Sequence, residues 1–375
     1  MKVSLGRPAA LAAASALLLM LGAAGAAAQP ASGNPPPPKG LEVNSASFVT
    51  AQTGFALGAR GCSRLPCRAL LEETTTGGNT WTSVRLPKIM LVPAFSTSPA
   101  SAVSTVRFEN ASDGWVFGPA LWATTDGGKH WHRQSLPGRV IALAASDGVA
   151  FASAEPTNGG INQARLYESK VGTGTWTKVR GVVPQNALTV SGHSVWAGVA
   201  SGVGPGMWTS TDSGGHWSKL PFRCPHSAIS ASPVAAASPS DVAIGCSDES
   251  YPQPGFSVKK VYTSSNGGRT FHKTATQPAE VGQVGMLAMP PGNPRIITMT
   301  AASGASFLYR SADGGATWQQ QTWSDGGLEL SDLALVSADT GYLVHFSGAN
   351  PVIAYSLGLL KTTNAGKTWK TVAIP

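Results

Sequence analysis

A short Gly-rich turn that leads into an aromatic residue occurs seven times along this 375-residue chain, each copy following the outline Ser/Thr-x-Asp-x-Gly-x-Thr-Trp. Successive aromatic anchors lie 50, 45, 41, 54, 47 and 51 residues apart. A period of about 45 residues is typical of one sheet-forming unit of a propeller or array, because such a unit cannot bury both of its faces alone. The seven copies begin at Thr74, Thr124, Ser169, Ser210, Ser264, Ser311 and Thr362, and their anchors are Trp81, Trp131, Trp176, Trp217, Phe271, Trp318 and Trp369.

The residue types within one copy indicate a self-capped hairpin. An Asp at the third position can accept hydrogen bonds from the amides of its own turn, and a Gly can adopt the positive φ that a short hairpin loop requires. The aromatic anchor then begins the return strand, where it can bury about 150–250 Å². Asp126, Asp212 and Asp313 keep the acid, Asn266 and Asn364 replace it with an isosteric acceptor, and Thr76 and Val171 make the first and third copies weaker.

A second motif precedes most of these turns and consists of a turn followed by a short apolar strand, as in Gly54 to Gly58 and Ser112 to Gly118. Each unit therefore reads as four strands. The second strands are apolar on both faces, as expected for strands with neighbours on either side. We predict an all-β protein, a seven-bladed β-propeller with four-stranded antiparallel blades.

The turns resemble the Asp-box, or BNR, repeat of the sialidase-like propeller superfamily. The pairing of Asp113-Gly114-Trp115 and its strand with such a turn is most similar to the photosystem II assembly and stability factor branch. The resemblance covers roughly residues 43–375. It implies a structural role for the turn and a scaffold for another protein, but fold alone does not fix activity.

The first forty residues differ from the rest. We predict a signal peptide over residues 1–28, because three features occur in the order that such peptides require. These are the positive charges of Lys2 and Arg7, an apolar run that extends to Ala28, and small residues that suit signal-peptidase cleavage before Gln29. An uncleaved anchor is the alternative, since the run is long enough to span a bilayer. Residues 29–42, with four consecutive prolines, are expected to form a stiff spacer, and 43–375 the propeller. No further membrane span is expected.

The four cysteines fit an oxidising compartment. Pairing Cys62 with Cys67 and Cys224 with Cys246 is favoured over the two other connectivities, which would have to cross between distant blades. A metal site is disfavoured because His226, near Cys224, is the only additional ligand nearby. We expect neither a metal nor a cofactor.

The chain has a net charge of +8, and removal of the signal leaves 25 basic and 19 acidic residues, or +6. Lys and Arg on an outer strand discourage edge-to-edge association. They can also form a basic rim that meets an anionic envelope polymer, a membrane surface or an acidic protein. Nucleic acid is not expected, because no recognisable module is present. The bases beside the turns are Lys129, Arg133, Lys178, Arg180, Lys219, Arg269, Lys273, Lys361, Lys367 and Lys370.

No catalytic residues are predicted. A sialidase would show an early Arg-Ile-Pro type motif, which this sequence lacks, and six blades instead of seven. The two-propeller xyloglucanases place their cleft between two domains, whereas one propeller is expected here. A glycan-directed protein, either a glycoside hydrolase or a lectin, is nevertheless the alternative function. Convergent Glu, Tyr and Arg side chains in the central channel would favour it.

The insertions between middle strands are the expected binding elements, since loops on a rigid scaffold commonly carry function. The first holds Arg60, Arg64 and Arg68 around a disulfide-pinned loop, and Arg suits carboxylate contacts. Glu155 to Gly160 and Asp248 to Gly255 are two further loops. Trp323 is the tryptophan expected to be exposed. The sequence thus favours an exported, monomeric, non-enzymatic propeller at the cell envelope that binds a protein or an anionic polymer.

Overall fold

The computed structural model describes residues 40–62, 66–93, 96–156, 163–182, 187–198, 207–222, 224, 233–248, 257–303, 305–323, 329–346 and 357–375. The chain forms seven four-stranded antiparallel sheets arranged as a β-propeller, which confirms the predicted fold class. In each blade the order of the four strands across the sheet is their order along the chain. The described residues contain no α-helix, and thus no helix long and apolar enough to cross a membrane.

The strands are short, and the outermost strand of each blade has two to five residues. The first blade and its connection to the second comprise β1 (Glu42–Phe48), β2 (Gly54–Ala59), β3 (Cys67–Arg68), β4 (Leu70–Thr74), β5 (Thr82–Val84) and β6 (Met90–Leu91). Blades 2 to 4 comprise β7 (Thr105–Phe108), β8 (Gly114–Phe117), β9 (Leu121–Thr124), β10 (His132–Gln134), β11 (Arg139–Ser146), β12 (Val149–Glu155), β13 (Arg165–Lys170), β14 (Thr177–Lys178), β15 (Leu188–Ser191), β16 (Ser194–Gly198), β17 (Met207–Ser210) and β18 (Ser218–Leu220). Blades 5 to 7 comprise β19 (Val234–Ala236), β20 (Val242–Asp248), β21 (Val258–Ser264), β22 (His272–Lys273), β23 (Gln283–Ala288), β24 (Ile297–Ala302), β25 (Ser306–Ser311), β26 (Gln319–Trp323), β27 (Glu329–Leu335), β28 (Gly341–Phe346), β29 (Leu357–Thr362) and β30 (Lys370–Val372).

The hydrophobic core is divided into clusters that lie between adjacent blades. Phe55 and Val116 belong to the cluster between blades 1 and 2, and Tyr342 and Val43 to the cluster between blades 7 and 1. The second strands β2 and β8 are buried along their whole length, as their apolar sequences predict. Because the two faces of each blade are covered by its two neighbours, stability comes from the closed ring and not from any one sheet.

The first strand of each blade lies nearest the propeller axis, where first strands of successive blades contact one another. Four of them contain a register shift against the second strand: β1, β11, β23 and β27. A bulge of this kind bends a strand and increases its twist. The inner strands are therefore shaped to line a narrow channel.

The propeller has two distinct faces. Backbone hydrogen bonds join the turn between strands one and two to the Gly-rich turn between strands three and four, for example from Gly127 N to Ser112 O (2.9 Å) and from Gly267 N to Ser240 O (2.8 Å). We call this side the turn face. The opposite side, where second strands end and third strands begin, is the loop face. It also carries the connections between blades.

The ring closes without a shared strand, because blade 1 and blade 7 each use four strands of their own. Leu41 N donates to Ile374 O (2.9 Å), and Lys361 Nζ donates to Gly77 O (2.7 Å). The rings of Phe48 and Tyr342 stack across the same junction. β1 begins at Glu42, one residue before the expected start of the propeller.

Candidate functional site at the loop face

The Gly-rich turns have the hydrogen bonds that their sequences predict. In the second copy, Thr124 Oγ1 accepts from Gly128 N (2.8 Å) and donates to Asp126 Oδ1 (2.9 Å), and Asp126 Oδ1 accepts from His130 N (2.9 Å). Gly127 and Gly128 both have positive φ. The same contacts form around Asp212, Asn266, Asp313 and Asn364. These residues all lie on the turn face and serve the hairpins.

The first and third Gly-rich turns, which have neither Asp nor Asn at the third position, differ in whether a side chain accepts the turn hydrogen bond. Thr76 Oγ1 accepts a hydrogen bond from Thr80 N (2.9 Å), so a hydroxyl oxygen replaces the carboxylate as the acceptor. Val171 offers no oxygen, and the third turn instead has Thr173 Oγ1 donating to Lys170 O (2.8 Å). The sequence therefore identified correctly which copy could not make the side-chain contact.

The aromatic anchors pack between blades and are half-buried. Trp131 lies one residue before β10, and its indole donates to Gly128 O (3.1 Å) while its ring meets Phe108 edge-on. Trp176 donates to Gln134 Oε1 of the preceding blade (2.9 Å). Trp81, Trp217, Phe271, Trp318 and Trp369 occupy the corresponding positions. Each anchor thus joins its own blade to the one before it.

Hydrogen bonds to the turn carboxylates lower their pKa values. The side-chain and backbone donors of Thr317 lower the pKa of Asp313 from 3.8 to about 2. The backbone and imidazole of His216 act in the same way on Asp212, to about 2, and His130 lowers the pKa of Asp126. Donors directed at a carboxylate stabilise its charged form. These aspartates are structural anions, unlike the raised-pKa acid that a general-acid mechanism needs.

Both expected disulfides form, and both lie at the loop face. Cys62–Cys67 spans the connection between β2 and β4, and Cys224–Cys246 ties the connection before blade 5 to β20. Cys67 also belongs to β3, which pairs with β6 in a two-stranded ribbon. This ribbon was not predicted from the sequence, and its second strand comes from the long connection between blades 1 and 2.

The residues predicted to bind a partner differ in their contacts and in their exposure to solvent. Arg60 Nη2 pairs with Glu72 Oε1 (2.6 Å), and Arg60 Nε donates to Pro375 O (3.0 Å), so its guanidinium helps to close the ring. Arg68 is exposed in β3. Arg64, most of the two other loops and the side chain of Trp323 lie outside the described residues. Among the other tryptophans, Trp196 is buried, while Trp122 and Trp208 are half-buried.

An open cleft of about 470 Å³ lies at the loop face between blades 2 and 3. Its walls come from blade 2, from blade 3 and from the connection between blades 1 and 2. The connection between blades 1 and 2 contributes Thr97 and Ala100 to one wall, and this segment is fixed by a hydrogen bond from Ala120 N to Ala102 O (2.8 Å). Apolar side chains and prolines make up much of the lining: Pro119, Leu121, Leu136, Val140 and Pro156.

The charged groups of the cleft are arranged asymmetrically. Arg139 and Glu155 form an ion pair, and both side chains are largely buried. Arg133 also lines the cleft and is exposed, and no carboxylate of the described residues lies within 4 Å of it. A cleft with an apolar lining and an uncompensated cation suits an extended segment that carries apolar side chains and a carboxylate. Sequence reasoning missed this cleft, because its walls come from two blades and a distant connection.

The central channel has a different character. A cavity of about 310 Å³ at its turn-face end is lined mostly by small and apolar residues, including Val234, Ala235, Ala288 and Ala334. One ion pair joins the inner strands of blades 2 and 7: Arg107 Nη2 contacts Asp332 Oδ1 (2.5 Å), and Asp332 Oδ2 accepts from Ala46 N (3.0 Å).

The buried tyrosines do not supply a nucleophile to the channel. Tyr309 donates to Val281 O (2.7 Å) and Tyr342 to Ala51 O (3.0 Å), and burial raises the pKa of each hydroxyl to about 12. In the described part of the chain, no tyrosine is brought together with a glutamate in the channel. The arrangement sought for a sialidase therefore does not appear there.

Comparison with known proteins supports the fold. No family model matches the chain, and no curated protein matches it. Among solved structures, the chain is similar to YCF48 bound to D1 peptide, with 20% identity, a TM-score of 0.55, and coverage of 87% of this chain and 95% of that one. It is also similar to YCF48 from Cyanidioschyzon merolae, with 17% identity, a TM-score of 0.56, and coverage of 89% and 98%.

A third similar structure comes from an analysis of two prolyl endopeptidases, at 12% identity and a TM-score of 0.58, covering 90% of this chain and 50% of that one. Propellers with unrelated activities thus resemble this chain about equally well. At these identities the similarity establishes the architecture, and function has to be argued from the site. The chain is a seven-bladed propeller of the same architecture as YCF48.

Proposed function

We propose that this protein is an exported, non-enzymatic propeller that binds a segment of a partner protein in the loop-face cleft and acts as an assembly platform at the cell envelope. The cleft between blades 2 and 3 carries the proposal. Its walls are held by two blades and by the fixed connection at Ala102. A site that is already ordered loses little conformational entropy when it binds a peptide.

Two further observations support the proposal. The disulfides at the loop face fit an oxidising, extracytoplasmic compartment, in line with the predicted signal peptide over residues 1–28. One of the similar structures is YCF48 bound to D1 peptide, and we extend peptide binding, though not the identity of the peptide, to this chain. The small, apolar lining at the turn-face end of the channel favours a platform over a glycoside hydrolase, which would need converging acids there.

A display library of random peptides, selected on the oxidised chain, tests the proposal. We expect enrichment of peptides that combine apolar residues with a carboxylate. Arg133→Glu should abolish that enrichment, because it replaces the exposed cation of the cleft with a like charge. Lys370→Glu makes the same charge change on the outer strand of blade 7 and serves as the matched control.

Two results would contradict the proposal. One is enrichment that responds equally to both substitutions, since binding would then follow net charge and not the cleft. The other is shortening of a defined oligosaccharide by the purified chain, which would establish the glycan-directed alternative and direct the search to the channel.

A further inference from the structure

Four consecutive blades carry a cation at the same position of their outer strand. In each case the cation lies directly opposite an aromatic residue of the third strand, so the two side chains share one face of the sheet. The pairs are Arg133 with Trp122, Lys178 with Tyr167, Lys219 with Trp208, and Lys273 with Tyr262. We call the four cations of blades 2 to 5 the cation arc.

The cation arc is exposed and uncompensated. All four side chains are exposed, and no carboxylate of the described residues comes within 4 Å of any of them. The surrounding sequence explains this, because the segments 127–146, 169–211, 213–240 and 250–279 contain no Asp or Glu. The aromatic opposite each cation can support its aliphatic stem and leave the charged group in water.

Protection of sheet edges does not account for the arc. The equivalent positions in blades 1, 6 and 7 are Ser83, Gln320 and Thr371, which are uncharged. The outer strands of blades 2 to 5 have only two or three residues, and short edge strands already discourage pairing. At this position of the outer strand, cations therefore occur only in blades 2 to 5.

The distance spanned by the four cations favours an extended ligand over a small anion or a flat bilayer. Packed sheets lie about 10 Å apart and the blades diverge outward, so four outer strands span at least about 30 Å. A small anion could contact one cation only. A flat bilayer could touch few points of a convex wall, whereas a flexible linear polyanion can follow it.

We propose that the cation arc binds a linear anionic polysaccharide whose carboxylates contact successive blades. Three of the aromatic rings beside the cations, those of Trp122, Trp208 and Tyr262, are half-buried and suit the faces of sugar rings, whereas Tyr167 is buried. The two disulfides favour a compartment outside the cytoplasm, where such polymers occur and nucleic acids are scarce. This surface lies on the outer wall, shares only Arg133 with the cleft, and would hold the protein at the envelope while the cleft remains available.

Binding of fluorescently labelled polygalacturonate to the oxidised chain at low salt tests the proposal. The triple variant K178Q/K219Q/K273Q leaves Arg133 and the cleft intact. We expect it to bind at least about tenfold more weakly, because three exposed contacts are lost. Its affinity should also depend less steeply on salt, since fewer counterions are displaced. The control K129Q/K170Q/R269Q removes the same charge from exposed turn-face positions and should retain the affinity.

Three outcomes would overturn the proposal. Equal weakening by the two triple variants would show that net charge, and not the arc, governs binding. Equal affinity for uncharged dextran would show that carboxylates are not recognised. Tighter binding of oligo(dT) that is lost in K178Q/K219Q/K273Q would assign the arc to single-stranded nucleic acid.

Discussion

At the scale of single residues, the turns show that one hydrogen-bond position can be filled by different chemical groups. In six of the seven copies, a side-chain oxygen at the third position accepts the amide four residues later. Thr76 supplies a hydroxyl, Asp126 a carboxylate and Asn266 an amide oxygen. All six turns thus share an acceptor oxygen at the third position, whereas a negative charge at that position is not required for the hydrogen bond.

Asp313→Asn should therefore preserve stability at neutral pH and reduce its loss in acid. Because hydrogen bonds from Thr317 lower the pKa of Asp313 from 3.8 to about 2, its carboxylate contributes stability that is present above pH 3.8 and lost towards pH 2. An asparagine keeps the acceptor for Thr317 N and can donate to Thr317 Oγ1, as Asn266 Nδ2 does to Thr270 Oγ1 (2.8 Å). Urea midpoints at pH 7 and pH 2.5 measure the difference.

The reverse substitution is the control for this prediction. Asn266→Asp places a carboxylate in the turn of blade 5 and should make the protein more sensitive to acid. If neither substitution changes the pH profile, the turn carboxylates do not contribute to acid denaturation.

The two adjacent glycines of the sixth turn should differ in their tolerance of alanine. A Cβ on Gly314, at φ 73°, would meet no atom within 4 Å, so Gly314→Ala should cost about 1 kcal/mol from the backbone conformation alone. A Cβ on Gly315, at φ 89°, would lie 2.3 Å from Thr274 Cγ2 of the preceding blade. Gly315→Ala should cost roughly 2–4 kcal/mol, since overlap adds to backbone strain. Denaturant unfolding with unchanged m-values measures both, and equal costs would contradict the assigned contact.

At the scale of secondary structure, the elements that the sequence predicted are those defined by local patterns. The hairpins follow from Gly and Asp within eight residues, and the buried second strands follow from continuous apolar runs such as Gly54–Ala59. The ribbon of β3 and β6 was not predictable in this way. Its strands are two residues long, and they meet only because a long connection returns across blade 1.

One strand contains a buried charge that its sequence did not reveal. Lys259, in β21, is fully buried, and its Nζ donates to Ser257 O (3.2 Å) and lies 5.3 Å from the Tyr309 ring. Burial lowers the pKa of Lys259 from 10.5 to about 7. A cation so far removed from water favours its neutral form.

Lys259→Met should stabilise the protein at pH 7 to 8 and flatten the dependence of stability on pH. Between pH 7 and 10.5, the unfolded chain binds a proton that the folded chain does not, so the free energy of unfolding of the parent rises with pH. The methionine variant should lose this rise, which denaturant titrations from pH 7 to 10 would detect. Lys273→Met, at an exposed position, should leave the slope unchanged. A steeper slope in Lys259→Met would refute the buried-charge interpretation.

At the scale of the whole molecule, the junction between blades 7 and 1 depends on contacts between residues far apart in sequence. Asp332 lies in blade 7, yet its two carboxylate oxygens contact Arg107 of blade 2 and Ala46 of blade 1. Arg60 likewise reaches Pro375. Sequence analysis predicted Arg60 as a partner-binding residue from its Arg-rich loop, and it could not predict the contact with Pro375, because no local pattern encodes contacts that exist only after the ring closes.

Asp332→Ala should weaken the ring at this junction. It leaves Nη2 of the half-buried Arg107 guanidinium and the amide of Ala46 without the carboxylate that accepts from them, at a cost of roughly 1–3 kcal/mol. Amide hydrogen exchange should quicken most in β1 and β27. Glu155→Ala removes an ion pair inside blade 3 and should affect that blade instead. Exchange that quickens uniformly around the ring in both variants would contradict a local junction.

The absence of a shared strand between blades 1 and 7 also determines how the molecule would respond to mechanical force. Tension applied between residues 41 and 374 would act first on a single backbone hydrogen bond, from Leu41 N to Ile374 O, and then on the side-chain contacts of the junction, among them the stacked rings of Phe48 and Tyr342. Once these yield, each blade still holds all four of its strands. Rupture would therefore begin as a separation of two intact sheets, and extension would proceed in steps of one blade, each releasing between forty and fifty-five residues of chain.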